Sequence, residues 1–205
     1  MKTQVVSTTD KNAVQLALQI LQAGGVVAFP TDTVYGLGAI YSDPDAVLKL
    51  YDAKDRPGEK AIPILGADLD SLAEVAAGLN DATRLLAKKF WPGPLTLLVP
   101  RAPSVPDEVS SYSTVAVRVP DLAFTRDLLV VCGPLAVTSA NLSGGKSTCS
   151  AQEVFLDLNG RVDLIIDGGI TPGGTASTVI DCTADKPILL REGPIALAEI
   201  EKALH

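Results

Sequence analysis

Histidine occurs once in 205 residues, as His205, and that scarcity excludes whole classes of chemistry. A Ser-His-Asp triad, a Cys-His dyad and a histidine-based metal site all lack their central part. Cysteine is almost as scarce. Cys132, Cys149 and Cys182 lie far apart and form no Cys-x-x-Cys pair, so reduced, mostly buried thiols are expected in place of a disulfide framework or a zinc site. No apolar run approaches the length that spans a bilayer, and residues 1–4 do not open a signal peptide. Nothing directs the chain out of the cytoplasm, and no membrane partner is expected. Positive charge is in deficit too: 17 Lys and Arg against 24 Asp and Glu give a formal charge of −7. That balance disfavours broad RNA or DNA binding, so where the cations fall matters more than their sum. Catalysis is left to Lys, Arg, carboxylates, hydroxyls and backbone amides, a set suited to positioning and charge stabilisation.

The interior is ordinary. Hydrophobic residues make up 47% and charged residues 20% of the chain, which describes a globular core and not a disordered segment. The length favours one domain spanning residues 1–205, with two small ones as the alternative. Residues 11–23 have helical periodicity, with Thr9 or Asp10 as a cap and Gly24 as a stop. Residues 26–29 form a short apolar run that predicts a strand covered on both faces, followed by a polar loop with Thr31, Asp32, Thr33 and Tyr35. Asp43-Pro44 starts the next helix. Pro57 disfavours helical geometry at Arg56, which puts Lys54 and Arg56 at or just beyond that helix's C-terminus.

Residues 62–65 predict a second buried strand, and helices follow at 69–77 and 82–90, the latter capped by Asn80. Trp91-Pro92-Gly93-Pro94 breaks the chain before a strand at 95–99. Residues 101–113, rich in Pro and Ser, predict an exposed loop. Val115, Val117 and Val119 alternate with Ala116 and Arg118, placing the valines on the core face and Arg118 on the opposite one. A helix at 123–131, a strand at 135–137, a helix at 151–158 with a Ser150/Glu153 capping box, strands at 164–166, 178–180 and 188–190, and a helix at 197–204 complete the pattern. Strands alternating with helices, then strands in succession, indicate an α/β fold with a mixed sheet.

Residues 140–147 (ANLSGGKS) fall one residue short of a Walker A loop, because Ala140 stands at the first glycine position. The next helix also starts late, near Ser150. A glycine- and hydroxyl-rich turn whose amides meet an anion, or a plain surface turn, are the other readings. Arg118 either faces solvent or lines a cleft. Arg191 poses the same choice at the end of an apolar strand, and Lys54 and Arg56 at a helix end have the helix dipole as a sufficient partner.

PTDTVYGLG at 30–38, AKDRP at 53–57 and WPGPLT at 91–96 resemble motifs of the YrdC/Sua5/TsaC family of L-threonylcarbamoyladenylate synthases. So do VAVRVP at 115–120, SAN at 139–141, STVID at 177–181 and LREGP at 190–194. The seven stand in family order, in a chain whose length is similar to the single-domain form. The resemblance implies a YrdC-like fold: a twisted open mixed sheet flanked by helices, with a large concave, positively charged cavity. It implies nucleotidyl transfer in which L-threonine, bicarbonate or CO2 and ATP give threonylcarbamoyl-AMP and pyrophosphate. That is the first step of N6-threonylcarbamoyladenosine formation at position 37 of tRNA. A separate transferase complex, and tRNA itself, are implied partners.

By the same resemblance Lys54, Arg56, Ser139 and Asn141 form the catalytic tetrad, the two cations neutralising ATP phosphates and the Ser and Asn bonding the nucleotide or carbamate. Thr114, Ser147 and Arg191 match further ATP contacts. Thr31, Thr33, Tyr35, Arg118, Val137 and Ser177 match the threonine pocket, with Arg118 as partner of the substrate carboxylate. Magnesium is implied with the triphosphate, without a carboxylate cluster to mark its site. The sequence departs from the family pattern at Asp32, where Glu is common, and at Ala61 and Thr138, where Pro is common. The rival readings are a noncatalytic RNA-binding module and carbamoyl transfer of the kind found in hydrogenase maturation.

Overall fold

A computed structural model describes residues 2–58, 60–184 and 186–204; His205 lies outside the described residues. The chain runs β1 (Gln4–Ser7), α1 (Ala13–Gln22), β2 (Val27–Phe29), β3 (Gly36–Ile40), α2 (Pro44–Lys54) and β4 (Ile64–Leu65). It continues with α3 (Leu69–Leu72), α4 (Asp81–Phe90), β5 (Leu95–Pro100), β6 (Thr114–Arg118), α5 (Ala123–Cys132) and β7 (Leu135–Ser139). Last come α6 (Ala151–Leu158), β8 (Leu164–Asp167), β9 (Thr178–Asp181), β10 (Ile188–Arg191) and α7 (Leu197–Ala203). The strands form one sheet in the order β1-β8-β2-β3-β7-β4-β6-β5-β9-β10. Parallel pairs (β1 with β8, β8 with β2, β4 with β6, β5 with β9) mix with antiparallel ones. The expected mixed α/β sheet flanked by helices is present. Among the described residues no helix is long and apolar enough to cross a membrane.

Alternation along the strands divides the interior in two. Ala28, Ile64, Ala136 and Ile165 point to one face, where α2, α4, α6 and α7 pack on them through Leu50, Leu86, Val154 and Ile200. Their neighbours Val27, Leu65, Leu135 and Leu164 point to the other, covered by Ala17 and Leu21 of α1 and Leu128 and Leu129 of α5. Strands β5, β6 and β9 supply Leu95, Leu97, Val115, Val117 and Ile180 to the first face and none of the described core residues to the second. The second face is therefore open over that end of the sheet.

Local signals account for the starts of α2, α4 and α6, whereas α1 starts after Asn12 with no side-chain cap and not on the expected Thr9 or Asp10. Asp43 accepts the Ala46 N–H at 3.1 Å with Pro44 in the first turn, and Asn80 accepts the Thr83 N–H at 2.8 Å. Ser150 caps α6 through the Glu153 N–H, while the Glu153 carboxylate takes the N–H of Cys149. All three cysteines are free, and burial pushes the Cys132 and Cys182 thiols up to about 11.

Three further expectations are corrected. The helix expected over 69–77 stops at Leu72, because the Val75 carbonyl and Ala77 N–H pair with Ala102 and Pro100 of the following segment. Residues 101–113 are pinned and not a free loop. Val105 and Val109 enter the core, Ile62 N–H donates to the Val109 carbonyl at 2.8 Å, and Arg101 donates to the Val105 and Ser110 carbonyls. The third correction adds strands: β1 and β3 were not expected. β3 carries Gly36 and Gly38, which lower strand propensity yet are required here, since a Cβ on Gly38 would lie 2.8 Å from the Phe29 ring.

Candidate active site

The open face holds a cavity of about 320 Å³, within the range of small-molecule sites. Strand parity builds its floor. With Leu95, Leu97, Val115, Val117 and Ile180 committed to the core, their alternates Thr96, Ala116, Arg118 and Val179 face the cavity.

The loop between β2 and β3 forms one wall. The Thr31 hydroxyl takes the N–H groups of Thr33 and Val34 at 3.1 and 3.3 Å and pairs with the Thr33 hydroxyl at 3.0 Å. That side-chain turn fixes Thr33 next to Arg118, whose Nη1 donates to its hydroxyl at 2.9 Å. Arg118 also donates through Nε to the Gly93 carbonyl at 3.0 Å and through Nη2 to Asp32 at 2.5 Å. Burial lowers the Arg118 pKa, Asp32 opposes that, and the nearby Arg191 adds to it. A guanidinium remains charged throughout the physiological range. Its five N–H groups have three fixed partners, so a substrate carboxylate would meet an already oriented fork. Tyr35 lines the same wall, its hydroxyl held by the Gly169 carbonyl and the Gly168 N–H.

Across the cavity, Arg191 at the end of β10 donates to the Ser177 carbonyl at 2.9 and 3.0 Å and to its hydroxyl at 3.1 Å. The Ser177 hydroxyl is 2.7 Å from that of Thr96. Arg56, just past α2, supports residues 60 and 61 by donating to their carbonyls at 3.2 and 3.0 Å. Burial lowers the pKa of both Arg56 and Arg191. Among the described residues three guanidinium groups line this one cavity and no carboxylate does.

The turn after β7 closes the site. Ser139 and Ser147, at its two ends, line the cavity. No helix begins at Lys146-Ser147; α6 begins at Ala151, so this is not a P-loop. Ten of the thirteen residues expected at the site line the cavity: Thr31, Thr33, Tyr35, Arg56, Arg118, Val137, Ser139, Ser147, Ser177 and Arg191. Lys54, Asn141 and Thr114 are not on its wall. Thr114 is half-buried where β6 starts, its carbonyl taken by the Ser110 hydroxyl. Lys54 is 1% exposed and its ammonium donates to the carbonyls of Ser139 and Asn141. Burial first and Arg56 second push its pKa down to about 8.

Sequence reasoning missed Thr96. A hydroxyl interrupting the apolar run LTLLVP was the available signal, the same one that singled out Arg118. Among the described residues no group of three or more His, Cys, Asp or Glu side chains could hold a metal.

Comparison with known proteins identifies the family and the fold. A family model for Sua5/YciO/YrdC, described as "Telomere recombination", matches residues 19–193. The threonylcarbamoyl-AMP synthase of Bacillus subtilis is 42% identical over 205 residues, covering 98% of this chain and 59% of that protein. The crystal structure of Pyrococcus abyssi Sua5 complexed with L-threonine superposes with a TM-score of 0.94 at 40% identity, covering 100% of this chain and 61% of that one. E. coli YciO superposes with a TM-score of 0.85 at 28% identity, covering 97% and 98% of the two chains. The chain thus spans about three-fifths of the length of the Bacillus and Pyrococcus proteins it matches. From a family model spanning most of its residues, and from full-length similarity in sequence and fold, the chain belongs to the Sua5/YciO/YrdC family.

Proposed function

We propose that the chain, acting as a single domain, synthesises L-threonylcarbamoyl-AMP from L-threonine, bicarbonate or CO2 and ATP. The observation that carries this reading is the union in one cavity of two kinds of anion seat. One is Arg118, buried and braced beside Thr33; the other is Arg56 and Arg191 with the hydroxyls of Ser139 and Ser147. Such a pair of seats suits an amino acid placed against a polyphosphate.

In this mechanism the threonine carboxylate pairs with Arg118, and its side chain lies among Thr31, Thr33, Tyr35, Val137 and Ser177. The amine takes up CO2 and releases a proton, giving a carbamate. A carbamate oxygen attacks the α-phosphorus of ATP, the bond from that phosphorus to the bridging oxygen breaks, and pyrophosphate leaves with the electron pair. Arg56 and Arg191 stabilise the charge that accumulates on the phosphates. Ser139 and Ser147 hold the nucleotide from the turn, braced from behind by Asn141, and Thr114 serves it from the edge of β6. No histidine is needed, because alignment and charge screening do most of the work. Magnesium would enter on the triphosphate, where it would screen phosphate charge. The unstable adenylate passes to a transferase that modifies tRNA in the cytoplasm.

The test is release of pyrophosphate from ATP by the purified chain, assayed with and without threonine and bicarbonate. The expected result is release that requires both. RNA binding without turnover, or dependence on carbamoyl phosphate, would overturn the reading.

A further inference from the structure

Lys54 is the last residue of α2, and its side chain is spent inside the protein. It is 1% exposed and absent from the cavity wall. Its ammonium donates to the Ser139 and Asn141 carbonyls, and its own carbonyl accepts the Ser143 N–H at 2.8 Å. The rest of the turn is tied in the same way. Asn141 Nδ2 donates to the carbonyls of Leu142 and Gly145 at 2.7 and 3.0 Å, and the Thr148 hydroxyl donates to that of Ala140 at 3.0 Å. Five carbonyls from 139 to 145 are thereby taken up by side chains behind the turn. A turn whose carbonyls are satisfied inward keeps their negative ends away from an anion and leaves the Ser139 and Ser147 residues on the cavity wall to meet it.

We propose that Lys54 is a positioning residue. Its ammonium holds the turn at 139–147 so that Ser139 and Ser147 face the nucleotide, and it does not itself touch the triphosphate. The proposal rests on the reading of that turn as the nucleotide's seat. It separates Lys54 from Arg56, two residues on, whose guanidinium does line the cavity. The physical reason for a lysine here is reach combined with three donors. One ammonium satisfies two carbonyls at the strand end, close to the C-terminal end of α2, where a cation is favoured.

Two experiments decide it. The first uses the wild-type chain: brief treatment with cyanate, with and without ATP, then mass spectrometry of modified lysines. Lys54 is expected to stay unmodified in both conditions while exposed Lys60 reacts. Modification of Lys54 that ATP suppresses would overturn the proposal. The second uses Lys54→Met. In the ligand-free variant the Ser143 and Gly145 amides are expected to exchange with solvent about tenfold faster, a local loosening of about 1.4 kcal/mol. The Kd for ATP should rise about tenfold or more and that for threonine less than about twofold. The salt dependence of ATP binding should not change, whereas Arg56→Ala should flatten it, because only a lost charge contact does so. Unchanged amide exchange, or a flattened salt dependence in Lys54→Met, would overturn the assignment. Should the variant not fold, the cyanate experiment decides alone. If the wild-type chain bound no ATP, the proposed function would fail while the exchange measurement still tested the strut.

Discussion

Arg118 and Asp32 form, among the described residues, the one ion pair in which both side chains are nearly buried, 2.5 Å apart with 7% and 10% of the side chains exposed. The two residues come from different elements, β6 in the cavity floor and the loop after β2 in its wall, so the pair ties floor to wall as well as aiming the guanidinium. Removing one partner of a buried pair leaves the other charged without compensation, at about 3–5 kcal/mol. Arg118→Ala is therefore expected to lower unfolding stability by about 3 kcal/mol and to weaken threonine far more than ATP. Arg118→Ala with Asp32→Ala should recover part of the stability and none of the threonine affinity. Urea denaturation and separate ligand titrations check both halves. Equal weakening of the two ligands would mean that Arg118 has no special relation to the amino acid.

Thr96 is 2.7 Å from the Ser177 hydroxyl, which Arg191 also contacts. Valine keeps the shape of threonine and removes the hydroxyl. Thr96→Val is expected to cost about 1 kcal/mol in stability, the net value of one hydrogen bond, and to raise the KM for threonine severalfold. Steady-state kinetics at saturating ATP would reveal it. A KM equal to that of the wild type would show that the Ser177 hydroxyl is oriented by Arg191 alone.

Most of the site was legible only through the seven motifs that resemble the family's; pattern alone singled out Arg118 and left open whether it faces solvent or a cleft. Arg118 interrupts alternating valines, and Asp43-Pro44 and Asn80 mark helix starts without ambiguity. What stayed hidden depends on tertiary contacts. Residues 101–113 have loop composition, yet two valines and one arginine anchor them against elements distant in sequence. Lys54 is the clearest case. Its motif and neighbours point to the cavity, but sequence carries no signal that the Ser139 and Asn141 carbonyls lie close enough to capture the ammonium. Strand β3 was hidden by composition, since its glycines are demanded by what packs on them and not by the backbone.

That demand can be tested at Gly38, which lies away from the cavity wall. An added Cβ would sit 2.8 and 3.2 Å from two atoms of the Phe29 ring, and Phe29 is fully buried between strands and helices. A rigid ring in a packed core cannot yield by that much without shifting the backbone. Gly38→Ala is expected to destabilise the chain by about 1–3 kcal/mol, seen as a lower urea midpoint. A compensating Phe29→Leu in the same chain should restore part of the loss. Stability equal to wild type in the single variant would mean the ring has room that the structure does not show.

The buried ammonium of Lys54 gives the pH dependence its sign. Its folded pKa of about 8 lies below the ordinary 10.5, so between those values the unfolded chain binds more protons at this site. Stability contributed by the group then rises with pH: the cost of burying the charge is full below pH 8 and is relieved toward 10.5. The relief is at most about 3 kcal/mol, because the two carbonyl partners favour the charged form and oppose the shift. Other titrations cancel in a difference, so the stability of the wild type minus that of Lys54→Met should climb between pH 7.5 and 10 in paired urea titrations. A flat difference would place the pKa at its ordinary value. The same window separates a strut from a phosphate ligand. A neutral amine retains two N–H groups, one for each carbonyl, and so keeps the turn in place. ATP affinity should accordingly hold level as pH passes through 8, whereas a lysine gripping phosphate would lose its charge and its ligand together.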